Sequence, residues 1–124
     1  MVKSIIESIA RDIYTELGPG HSESVYHRAM EVYLRDLLLP YETERILPIV
    51  FRGRTIGNFR CDLIVDGSTI VELKSISRIR AQEHQQLSNY MKLLEGHDGI
   101  LINFGPTNLE FVYEKCNPVT ENPE

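Results

Sequence analysis

The sequence predicts an α/β fold, and three features of its apolar pattern carry that prediction. Apolar residues recur at three- and four-residue steps near the N-terminus and again from Leu87 to Leu94, the period of amphipathic helices. Between residues 42 and 75 the period falls to two, that of strands. From Gly99 to Phe104 the run is apolar apart from Asn103, as a strand buried on both faces requires. The chain has 124 residues, room for one domain with one core that needs no disulfide or structural metal.

The elements follow in order. Ile5, Ile6, Ile9, Ala10, Ile13, Tyr14 and Leu17 define a helix over 3–17; Gly18 offers a left-handed cap, and Pro19 stops continuation. Ser22 is placed to cap a second helix whose stripe is Tyr26, Met30, Tyr33 and Leu37, ending near Leu39-Pro40. Residues 42–51 and 55–65 read as strands broken at Arg52-Gly53, and 69–75 as a third after the hairpin signal Asp66-Gly67. The helix over Leu87, Tyr90, Met91 and Leu94 ends at Gly96. The buried strand follows, then a turn at 105–108 and a last strand in which Leu109, Phe111 and Tyr113 alternate with Glu110 and Glu114. The predicted order is helix, helix, three strands, helix, two strands, within one domain over 1–116. The polar, proline-interrupted segment 117–124 is expected to be a disordered tail.

Composition excludes several classes. Two cysteines, Cys61 and Cys116, are too few for an iron–sulfur cluster or a four-cysteine zinc site. Cys61 lies in an apolar strand pattern and reads as a buried thiol. His21, His27, His84 and His97 show no metal-ligand spacing, and a serine or cysteine nucleophile with a histidine base has no support. The N-terminus lacks the marks of a signal peptide, and no run approaches the ~20 apolar residues of a membrane span. A soluble intracellular protein, cytoplasmic or of the nucleoid or nucleus, is expected, with no membrane partner. Net charge is −5, but residues 45–80 hold seven cations against three anions and so carry +4 inside a body of −9. Such a patch suits a localised polyanion contact; solvation of exposed strand faces explains it equally well.

The chemistry concentrates on the second and third of the predicted strands. Read by parity, Phe59, Cys61, Leu63 and Val65 face one way and Asn58, Arg60, Asp62 and Ile64 the other. Glu72 and Lys74, two residues apart, share a face. Two carboxylates and a lysine suit metal-assisted phosphodiester hydrolysis: hard oxygen ligands hold Mg²⁺ or Mn²⁺, and lysine orients water and offsets developing charge. An acid-x-Lys triplet alone is a weak signal, and a surface ion pair on a solvated sheet face is its commoner reading.

Six pieces in order make the resemblance specific. Gly20-His21-Ser22-Glu23-Ser24-Val25-Tyr26 resembles the G-x-x-E-x-x-Y signature of the family named for it within the PD-(D/E)XK nuclease superfamily. Phe51-Arg52-Gly53, Arg60 to Val65, Val71-Glu72-Leu73-Lys74, Gln86 to Tyr90 and Ile102 to Gly105 follow in that family's order, with Phe51 where tyrosine is expected. The resemblance implies a restriction-endonuclease-like αβββαβ core, a mixed β-sheet flanked by helices, here with an extra N-terminal helix. It implies Asp62 and Glu72 as metal ligands and Lys74 as the catalytic lysine. Glu23 resembles the acidic residue that the first core helix often adds to the metal site; otherwise it is a carboxylate favoured by a helix start. Gln86 resembles a helix glutamine bordering such sites, and is equally a solvated glutamine. Arg54, Arg60, Arg78 and Arg80 are the candidate nucleic-acid contacts. Tyr26 and Tyr90 read as core residues with satisfied hydroxyls.

The expected activity is therefore that of a Mg²⁺- or Mn²⁺-dependent endonuclease acting on DNA, working as a homodimer if two strands are to be cut. The competing expectation is a catalytically silent nuclease-fold module that binds nucleic acid or a protein; the presence of all three of Asp62, Glu72 and Lys74 favours the enzyme. Turn geometry provides a test. A two-residue turn at Asp66-Gly67 would put Asp62 opposite Val71 and send Glu72 to the other side of the sheet. A shared site requires an odd loop or a bulge, so a three-residue connection of Val65-Asp66-Gly67 with φ > 0 at Gly67 is expected.

Overall fold

A computed structural model describes residues 1–116 of the chain; the expected tail, 117–124, lies outside the described residues. The elements are α1 (Val2–Leu17), α2 (Glu23–Asp36), β1 (Tyr41–Phe51), β2 (Arg54–Val65), β3 (Thr69–Lys74), α3 (Ala81–Leu93), β4 (Asp98–Phe104) and β5 (Leu109–Glu114). They form one five-stranded sheet in the order β1-β2-β3-β4-β5. β3 and β4 are parallel, and every other pair is antiparallel. The mixed sheet, the αβββαβ order and the additional first helix are those expected. No helix among the described residues is long and apolar enough to cross a membrane.

Helices cover both faces, so β3 and β4 bury both parities. On one face α1 and α2 set Ile6, Ile9, Ile13, Tyr26, Met30 and Leu34 against Leu63, Val65, Val71, Leu73, Ile100, Ile102 and Phe104. On the other, α3 sets Leu87, Tyr90 and Met91 against Ile64, Ile70 and Leu101. Gly99 admits α3 to β4, since a Cβ there would lie 2.6 Å from Met91 Sδ.

The helix ends depart slightly from expectation. Gly18 has positive φ (71°) but extended ψ (−176°), because Pro19 disfavours helical ψ in the residue before it. Ser22 caps α2, its hydroxyl accepting from Val25 N at 3.4 Å. Leu34, not Leu37, completes the buried stripe. α2 stops at Asp36 and Leu38 turns away with φ 56°, leaving Leu37 half exposed. Tyr26 is fully buried and stacks on Phe104 at 4.1 Å. Its hydroxyl donates to Gly18 O at 2.6 Å and accepts from His21 N at 3.3 Å. The tyrosine of the motif thus fastens the α1–α2 connection to the core.

The β2–β3 connection satisfies the parity condition by a different loop. Val65 pairs with Thr69 and Leu63 with Val71, so the three loop residues are Asp66, Gly67 and Ser68, one position later than expected. Gly67 has the predicted positive φ (64°), and Asp66 adopts it too (54°). Ser68 N donates to Val65 O, which leaves Ser68 as the extra residue of a bulged turn.

Strict alternation along β2 fails at Asp62. Phe59 and Cys61 pack on the α3 side, whereas Leu63 and Val65 pack beneath α1 and α2. β1 does the same, with Tyr41 on the α1–α2 side and Leu47 on the α3 side. The exchange occurs where the ladder loses one pair, between Thr43↔Leu63 and Arg45↔Cys61. Glu44 stands there at φ 54°. A left-handed residue rotates the strand through half a pleat, and its neighbour Asp62 rotates with it.

Candidate active site

The β2–β3 ladder ends at Leu63↔Val71, and beyond it the carboxylates of the next residues take over the hydrogen bonding. Asp62 N donates to Glu72 Oε1 at 3.0 Å. Leu73 N donates to Asp62 Oδ2 at 2.8 Å. Each strand thus gives a carboxylate to the other's backbone at the point where the strands part. Each acid keeps one oxygen beyond these bonds. Asp62 Oδ1 accepts no hydrogen bond among the described residues, and none of their fully buried polar side-chain atoms lacks a partner.

Glu72 is 4 % exposed. Burial, then the charge of Asp62, push its carboxyl up to about 8, against the Asp62 N–H and the Lys74 ammonium. Burial also raises Asp62, opposed by the Leu73 N–H, by His27 and by the Lys74 ammonium. Lys74, half-buried at the end of β3, is the cation that acts on both acids. The Cys61 thiol and Tyr90 phenol lie close enough to be pushed up by burial and then by the two carboxylates. Tyr90 donates to Arg60 O at 3.2 Å, fixing β2 on α3.

Asp62 opens into a cleft of about 410 Å³ between α2 and the sheet, lined on the helix side by Glu23, His27 and Glu31 and on the sheet side by Thr43, Glu44, Arg60 and Leu73. Glu23 is exposed at the first turn of α2 and reaches this cleft, as the sequence suggested. Glu72 and Lys74, on β3 behind Asp62, do not line it, and neither does Gln86, half-buried on α3. Of the four arginines, Arg60 alone lines the cleft. Arg80 is bound to Glu83 in a capping arrangement at the start of α3, while Arg54 and Arg78 are exposed elsewhere. Among the described residues no three His, Cys, Asp or Glu side chains already stand together as a metal-binding group.

Sequence reasoning passed over His27. Its Nε2 lies 2.8 Å from Thr43 Oγ1 and 3.3 Å from Glu31 Oε2, tying α2 to the strand beside Asp62. The signal was present in the four-residue steps Glu23, His27 and Glu31, which share a helix face next to the Tyr26 stripe. Glu44 was missed as well, since nothing in its neighbourhood marks a left-handed residue.

Comparisons with known proteins agree with the fold. A model of the PD-(D/E)XK nuclease superfamily matches residues 1–116. The crystal structure of a protein called SSO0001 superposes with a TM-score of 0.58 at 23 % identity, over 74 % of this chain and 48 % of that one. The similarity is one of fold, and this chain spans about half the length of that protein. No curated protein matches the chain.

Proposed function

Because the chain belongs to the PD-(D/E)XK nuclease superfamily, we propose that it is a nuclease that hydrolyses phosphodiester bonds of DNA with Mg²⁺ or Mn²⁺. PD-(D/E)XK nucleases generally use divalent metals. The observation that carries the reading is the buried Glu72 carboxylate beside the half-buried Asp62 carboxylate where the β2–β3 ladder ends, with Lys74 acting on both. The Gly20 to Tyr26 motif supports a place in the GxxExxY family, and two copies acting as a homodimer would suit cleavage of two strands.

The donor set fits a hard cation. Two carboxylates raised by burial, Glu72 also by the charge of Asp62, gain from a positive ion, and Asp62 Oδ1 has no competing partner among the described residues. Asp62 and Glu72 would hold it, joined by Glu23 from the helix wall of the cleft. The ion would supply Lewis acidity toward a phosphodiester. The Leu73 N–H holds the Asp62 carboxylate in one rotamer, and the Asp62 N–H does the same for Glu72. Lys74 places an ammonium beside the acids, where it orients water and offsets charge on the phosphoryl group. Arg60 at the cleft rim holds a flanking phosphate. Gln86 lies outside the cleft and is assigned to the border of the site only.

Calorimetric titration with Mn²⁺ or Mg²⁺ tests the assignment without requiring a substrate. Wild type should bind one or two ions, and Asp62→Asn and Glu72→Gln should bind none. Equal binding by all three proteins removes the site. Lys74→Ala should keep the metal and lose cleavage by a factor of ~10² or more, since lysine acts on charge rather than as a ligand. A second reading, a silent nuclease-fold module, is favoured by the lack of a preformed three-ligand group among the described residues. Metal-free folding with no cleavage of branched, single- or double-stranded DNA in either ion would establish it.

A further inference from the structure

We propose that the outer half of the β1–β2 hairpin is an arm that enters a groove of duplex DNA, so that the substrate is B-form duplex. The inference rests on the nuclease reading and adds the substrate form and the element that grips it. β2 pairs with β3 only over Leu63 to Val65. From Arg54 to Cys61 its ladder partners lie on β1 alone, so the hairpin leaves the sheet as a two-stranded ribbon. It is anchored by Leu47 and by Phe59 packed on Tyr90 at 4.6 Å. Beyond these anchors the ribbon ends in the two-residue turn Arg52-Gly53, both with positive φ (50° and 78°), the tight turn that continues the strand twist.

Charge selects the partner. Residues 45–60 hold four arginines and no acid within a chain of net charge −5. Arg52 and Arg54 stand exposed at the tip, and Arg60 joins the ribbon to the cleft. Apolar side chains are interleaved: Val50 is 59 %, Phe51 57 % and Ile56 66 % exposed. Cationic residues around an apolar wedge match a DNA groove, where phosphates line the walls and apolar groups meet base edges or steps. A two-stranded ribbon fits the B-form major groove, about 12 Å wide, whereas the deep, narrow A-form groove excludes it.

The shape also disfavours pairing of two copies along β1. Pro48 removes a donor from the middle of this edge strand, and Glu44 breaks its regularity at φ 54°; both are devices that block edge-to-edge addition.

The test is anisotropy of labelled probes with the full chain in EDTA, so that binding is measured apart from metal and cleavage. A blunt DNA duplex should bind more tightly than its single strand or a duplex RNA of the same sequence. Arg52→Ala/Arg54→Ala, both at exposed positions, should weaken duplex binding ~10-fold and lower the slope of log K against log salt by about two. Phe51→Ser should weaken it with the slope unchanged. The proposal is overturned if the single strand or RNA binds equally well, or if the arm variants bind as wild type does. It is also overturned if Ile56→Asp converts a dimer to a monomer with duplex binding intact, which would make the arm a protein contact. The ion titration judges the nuclease reading separately: metal binding without duplex preference removes the arm and leaves the site.

Discussion

At Asp62 and Glu72 one pair of side chains is asked for two things that pull against each other. As acceptors for backbone N–H groups, both positions need only an oxygen; in the proposed role of metal ligands they need charge. Burial of that charge has a consequence for pH. The folded state holds the Glu72 proton up to about 8, against an unfolded value of 4.5. The metal-free protein therefore has this contribution to stability in full below the unfolded value and loses it as pH rises through about 8. Its Tm should fall between pH 5 and 9. Glu72→Gln keeps an oxygen for Asp62 N and removes the ionisation, so in EDTA at pH 9 it should melt above wild type. Thermal melts across that range check both, and a flat wild-type profile would reject the buried proton. That these two acids belong together was legible through the family resemblance, since residue types and spacing alone suit a surface ion pair as well. Their exchange of backbone partners was not, because parity says which side a residue faces and nothing about where a ladder ends.

Among the elements, helix and strand positions were legible because apolar periodicity is a direct record of burial: α3 shows it at Leu87, Tyr90 and Met91. The reading failed where one backbone torsion overrode the pattern. Glu44 is an ordinary strand residue by composition, and only its φ of 54° reveals why Cys61 and Leu63 face opposite helices. The turn was half legible for the same reason: Gly67 signals positive φ, while Asp66 and the displaced loop do not. The contact between β4 and α3 provides a test of packing at this scale. A methyl group at Gly99 would meet Met91 Sδ at 2.6 Å and Leu87 Cδ1 at 3.0 Å. Gly99→Ala should therefore cost about 1–3 kcal/mol through overpacking, measured by denaturant unfolding; a neutral substitution would mean that α3 rides loosely on the sheet.

For the whole molecule, the proposed metal binding would be linked to folding. Anything that binds the native state alone stabilises it, by ~2.7 kcal/mol at a hundred times Kd. Mn²⁺ at saturating concentration should thus raise Tm by about 5–15 °C for a chain of this size. Asp62→Asn should show no such rise, and an equal rise in that variant would place the ion elsewhere.

The anchoring of the hairpin also has a mechanical meaning. Outboard of Leu47 and Phe59 it is carried by two strands, and at those two residues it is clamped on α3, so the anchors are the pivot of a lever. The short end of the lever carries the Asp62 carboxylate, and the long end carries the Arg52-Gly53 turn. A sideways load at the far end is therefore geared down into a small rotation of the carboxylate, and the hydrogen bond from Leu73 N is the spring that resists it.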